Sequence, residues 1–183
     1  MKRTKYVTPK MILSWNPCCD YSEVRIRELF GKRKQATVQE ILRSKIPPKD
    51  RLWVVLRVKL ISPKILRLFA CNCAERALKK ERKMGREPDE RSWAAVRVAR
   101  RFAAGRASTD ELVAVRNAAG NVAGAVTGAA VTAMSAWRAA KDNVEAVAQA
   151  AAWDAADTAE SHWQAVMLLR MLYRTKKREE GKP

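Results

Sequence analysis

The stretch LWVVLRV, residues 52–58, decides the fold. Its length and valine content suit a buried strand as well as a helix. Two features favour helix. Pro47-Pro48 stands just before it, and proline suits a first helical turn. No second segment reads as a strand that could pair with it, and an isolated strand leaves its backbone groups unsatisfied. A helix is therefore expected from Lys49 to Lys59, and the chain reads as all-α with no strand pair.

Working outward, the N-terminal side is short pieces. Residues 1–20 read as irregular, with Pro9 and Pro17. Tyr21 to Phe30 has helical spacing and Gly31 stops it. Thr37 to Arg43 is a further short helix, and Ile46-Pro47-Pro48 breaks the chain. On the C-terminal side, Ser62-Pro63 is a capping serine followed by a proline at the first helical position. Ile65, Leu66, Phe69, Ala70, Cys73, Ala77 and Leu78 then recur at three- and four-residue spacing until Gly85. Glu87-Pro88 opens another helix, with a stripe of Trp93, Val96, Ala99, Phe102 and Ala103, closed by Gly105. Ser108 and Glu111 fit a capping box. Helix is expected from there to Ala140, and again, after Lys141-Asp142-Asn143, to Tyr173, with a fraying charged tail.

The alanine-rich part carries Gly120, Gly124 and Gly128 on one helical face. Each costs about 1 kcal/mol against alanine. A row of small residues lets another backbone approach closely. The expected architecture is thus a set of short N-terminal helices packed on a long alanine- and glycine-rich helical hairpin. A homodimer seam along the same row is the alternative.

Charge divides the chain. Residues 1–107 hold 28 Lys and Arg against 10 Asp and Glu, so the whole net charge of +18 lies there. Residues 108–183 hold 9 of each sign. This predicts a basic helical head (1–107), a neutral hairpin body packed on it (108–175) and a charged tail (176–183), forming one unit. A basic excess confined to one part favours polyanions. The candidate phosphate contacts form three clusters: Lys32, Arg33 and Lys34; Lys79, Lys80, Arg82 and Lys83; and Arg97, Arg100, Arg101 and Arg106. The expected partner is nucleic acid, a nucleic-acid-loaded effector or a nucleotide signal. An acidic protein surface gripped by helix packing is the second reading and an undetected metal-dependent enzyme the third, with a solvated basic surface as the bland alternative.

Chemistry beyond binding is not expected. Cys18-Cys19 and Cys71-x-Cys73 are the metal candidates, but zinc sites use C-x2-4-C spacing, and thiols two apart on a helix point to different sides. Buried free thiols are expected instead. His162, the one histidine, has no nucleophile near it in sequence and is expected to be partly buried. Asp154, Asp157 and Glu160 read as a solvated face. No phosphate-cradling glycine motif is present, so a non-enzymatic protein without cofactor is predicted. Residues 117–137 carry no charge but are too poor in Leu, Ile and Phe to insert in a bilayer. The N-terminal residues lack an export-signal pattern, so a cytoplasmic, reducing setting and no membrane partner are expected.

The blocks ILRLFACNCAERAL (65–78) and RSWAAVRVARRFAAGRASTDELVAVRNAA (91–119), the AWRAA (136–140) and AWDAA (152–156) units, and HWQAVMLLRML (162–172) carry a resemblance. So do SWNPCCDYSEV and IPPKDRLWVVLR. The chain resembles, over about residues 12–172, an alanine-rich, all-helical family of bacteriophage and bacterial immunity proteins. The resemblance implies no chemistry. It implies a phage setting in a bacterial host cell, and with it an inhibitor of host defence, anti-CRISPR-like in its action. Here Gly, Val and Thr dilute the alanine tract, which departs from the family's purer runs.

Overall fold

A computed structural model of the chain describes residues 6–57, 60–120 and 158–180. The architecture is all-α. Eight helices account for nearly all the regular structure of the described residues: α1 Pro9–Leu13, α2 Glu23–Phe30, α3 Val38–Arg43, α4 Pro48–Val55, α5 Pro63–Lys83, α6 Glu90–Ala103, α7 Thr109–Gly120 and α8 Thr158–Glu180.

The starts follow local chemistry. Thr8, Ser22 and Ser62 cap α1, α2 and α5, each accepting from the backbone N–H three residues on, at 3.2 to 3.3 Å. Thr37 opens α3 with a full capping box: its hydroxyl accepts from Glu40 N at 3.2 Å, and the Glu40 carboxylate accepts from Thr37 N at 2.6 Å. Glu111 N donates to Ser108 Oγ at 3.1 Å near the start of α7. Gly31, Gly85 and Gly105 follow helix ends with φ of +56°, +78° and +71°, where a Cβ would be strained.

Several expectations are corrected. The N-terminal residues are not wholly irregular. Tyr6–Val7 (β1) pairs antiparallel with Ala36–Thr37 (β2), Tyr6 opposite Thr37 and Val7 opposite Ala36. The expected absence of any strand pair thus fails for two residues a side, a ladder too short to show a period in sequence. LWVVLRV begins as helix but does not stay so. α4 ends at Val55, and Leu56 (φ −76°, ψ 57°) centres an inverse γ-turn in which Arg57 N donates to Val55 O at 2.8 Å. The turn lets Leu56 stay fully buried. α6 starts at Glu90, behind the cap Asp89 whose carboxylate accepts from Arg91 N, rather than at Glu87-Pro88. α8 runs on to Glu180, seven residues beyond the expected stop at Tyr173.

Two cores result. The first gathers Val7, Ile12, Phe30, Leu42, Leu52, Leu56, Leu66 and Phe69 with Ala165 and Leu168 of α8. The second gathers Ala70, Ala74 and Leu78 of α5 with Val96, Ala99 and Leu112 of α6 and α7. α5 is common to both. α8 packs on α3, α4 and α5, and α7 packs on α6. The charge boundary at residue 107 is therefore not a packing boundary, since helices from the neutral part complete both cores. Trp93 and Phe102 are only half-buried, while Ser92 and Ala95 take buried places in α6. Gly124 and Gly128, and with them the predicted glycine-row hairpin and dimer seam, lie outside the described residues; Gly120 is the last residue of α7. No described helix is long and apolar enough to cross a membrane.

Candidate polyanion-binding surface

The α6 arginines do not form a free patch. Arg97 reaches Glu90 at 2.5 Å, Arg101 reaches Glu111 at 3.2 Å, and Arg100 pairs with Glu75 across the α5–α6 contact. Glu75 also takes Lys79 Nζ at 2.6 Å. The bond from Lys79 and the nearby Arg100 charge hold its carboxyl below the usual range. Arg82 is bound to Glu87 at 2.5 Å, and its guanidinium lies 4.9 Å from the Trp93 ring centre. Asp89, held by Arg91, falls to about 2. Exposed pairs of this kind contribute about 0–1 kcal/mol each. Their larger effect is on availability, because a paired guanidinium has already spent part of its charge and some of its five N–H donors on a carboxylate. Of the third cluster, Arg106 alone has no carboxylate partner among the described residues.

The second cluster keeps more. Lys80 and Lys83 are exposed and unpaired among the described residues. They flank a groove of about 640 Å³ between α5 and α8, lined also by Asn72, Glu75, Arg76, Lys79, Trp163 and Met167. Across it Arg76 donates to Glu160 at 2.7 Å and lies 4.2 Å from the centre of the Trp163 ring. Asn72 Nδ2 lies 3.3 Å from Met171 Sδ, tying the two helices further along. The groove thus joins a basic wall to a flat arginine–indole stack.

Arg76 and Trp163 were missed as site residues in the sequence. Asn72, Arg76, Lys80 and Lys83 recur at three- and four-residue spacing on α5, so one wall was legible. The α8 wall was not, because no local signal joins residues some 90 positions apart. The first cluster stands elsewhere. Lys32 and Lys34 are exposed in the loop after Gly31, and Arg33 gives its Nε and Nη2 to the α2 carbonyls of Phe30 and Leu29 at 3.2 and 3.1 Å.

The cysteines are split: Cys18 and Cys19 are exposed, Cys71 and Cys73 buried. Burial pushes Cys71 up to about 11 and Cys73 higher still. Among the described residues no three His, Cys, Asp or Glu side chains gather as a metal site. The buried-thiol expectation holds for Cys71 and Cys73 and is corrected for the other two, which sit on a surface loop. A disulfide-exchange reagent at mildly alkaline pH should therefore titrate two thiols rapidly and the other two only after unfolding, since only the thiolate attacks. Four equally fast thiols would contradict the packing of α5. His162 is exposed rather than partly buried, on the face of α8 away from Ser161 and Gln164. No protein-family model, curated protein or solved structure matches the chain.

Proposed function

We propose that the chain is a non-enzymatic binding protein whose α5–α8 groove engages nucleic acid, in single-stranded form or as displayed by a nucleic-acid-loaded effector. The observation that carries this reading is the pairing of two uncommitted lysines, Lys80 and Lys83, with the Arg76–Trp163 stack in one groove. Lysines supply charge to phosphate oxygens. A planar arginine–indole platform supplies a stacking face, worth about 1–3 kcal/mol per base in single-strand binders. Glu75 and Glu160 hold the neighbouring Lys79 and Arg76 in place and offset part of the groove's positive charge. The α6 arginines, held by their own carboxylates, play a smaller part than their number in the sequence implies. The biological setting we attach to this is inhibition of a bacterial defence effector, a setting drawn from the family resemblance.

Fluorescence anisotropy of a labelled single-stranded oligonucleotide across added salt tests it. With about three phosphate contacts, log affinity should fall against log salt with a slope near −2. Lys80→Glu with Lys83→Glu should weaken binding by about 30-fold or more and flatten that slope. Arg97→Gln should change it less than about twofold. Absence of wild-type binding at low salt would remove the reading.

A further inference from the structure

A second, separate cavity borders the first core. It is a cleft of about 940 Å³ between α2 and the α3–α4 pair, near the upper end of the range of about 300–1,000 Å³ for small-ligand sites. It exists because α2 packs chiefly on α1 and stands away from α3 and α4. Within the lining the Tyr21 hydroxyl donates to Asp50 Oδ2 at 2.6 Å, tying the residue before the α2 cap to the start of α4. The walls are apolar: Ile26, Leu29, Ile41, Ile46 and Val54.

The rim has a definite polarity. Arg43 and Lys45 are exposed at the end of α3 and have no carboxylate partner among the described residues. Arg33, held through Nε and Nη2, keeps Nη1 to offer. Three carboxylates share the lining; bonds from Thr37 and, after them, the charge of Arg33 hold the exposed Glu40 carboxyl below the usual range. Glu40 Oε2 accepts from Thr37 N and Thr37 Oγ1, at 2.6 and 2.8 Å, and Asp50 accepts from Tyr21. Asp20 is exposed, 4.0 Å from Cys18 Sγ. Arg25 is turned to Glu28 at 3.4 Å. An apolar bowl with three offered cations on its lip is complementary to one chemistry. We infer that this cleft binds a small organic anion free in solution, its alkyl or aromatic body on Ile26, Ile41 and Val54 and its acid group on Arg33, Arg43 and Lys45. The site shares no residue with the α5–α8 groove and does not depend on the nucleic-acid reading.

The test uses the full chain and two dyes of similar shape, anilinonaphthalene sulfonate and the uncharged N-phenylnaphthylamine. The sulfonate should bind saturably at a single site, at least about tenfold more tightly than the neutral dye, as charge-assisted hydrogen bonds require. Arg43→Glu with Lys45→Glu should remove that advantage while leaving the neutral dye's affinity unchanged. Ile46→Trp, on the half-buried loop between α3 and α4, should block both dyes; Leu29→Trp is the second blocking variant, and circular dichroism confirms that each remains helical. Equal affinity for the two dyes, indifference of the sulfonate to the charge reversal, or no saturable binding would each overturn the inference.

Discussion

Phe69→Ala is expected to destabilise the protein by about 3–5 kcal/mol, a large share of the roughly 5–15 kcal/mol that holds a typical domain together. Phe69 has no exposed surface and sits on α5 where the first core meets α8. Truncation removes the ring's transfer energy and leaves a cavity that the surrounding helices fill only in part. The position matters as much as the volume, because α5 is the one helix common to both cores. Urea unfolding followed by circular dichroism reads the effect. Val24→Ala, at a side chain 67% exposed, is the control and should change stability by less than about 0.5 kcal/mol. A loss under about 1.5 kcal/mol for Phe69→Ala would contradict the shared packing of α5.

The second large effect is expected at Arg57. The γ-turn at Leu56 delivers its guanidinium between two indoles, 4.9 Å from the centre of Trp15 and 4.7 Å from that of Trp53. The two rings meet edge to face, 6.3 Å apart at 69°. Cation–π contacts run from about 0.5–1 kcal/mol when exposed to about 2 when desolvated. Two on one partly buried group give an expected loss of about 2–3 kcal/mol for Arg57→Ala. Arg57→Lys keeps the charge but not the plane, and should recover less than half of that loss. Tryptophan emission should shift in both variants, since both rings change surroundings. A lysine variant as stable as the wild type would show that charge alone suffices, against the stacked geometry.

Arg57 also shows what composition could and could not convey. The surplus of +18 was legible, and so was its confinement to the first 107 residues. What a count of charges does not reveal is where each guanidinium goes. Arg57, Arg67, Arg76 and Arg82 lie over Trp15 and Trp53, Phe102, Trp163 and Trp93 respectively. Arg100 reaches Glu75 across 25 positions of sequence. Such pairings are tertiary, and only the fold brings them together. Local signals served better. Ser62-Pro63 marked the start of α5, and the glycines at 31, 85 and 105 marked turns, because capping and positive φ depend on adjacent residues alone. The β1–β2 ladder was invisible because its two halves are about thirty residues apart and two residues long. The seven residues of α8 beyond Tyr173 run against the fraying that their charge suggests, because Glu, Lys and Arg are good helix formers.

The closing of the first core by Ala165 and Leu168 has a consequence during synthesis. A ribosome adding about 5–20 residues per second adds the last residue of α5 roughly 4–17 s before it adds Leu168. Throughout that interval the apolar flanks of α3, α4 and α5 that await α8 remain wet, a nascent surface suited to transient capture by chaperones. Translation speed between residues 83 and 168 thus sets how long that surface stays open to misassociation before its lid arrives.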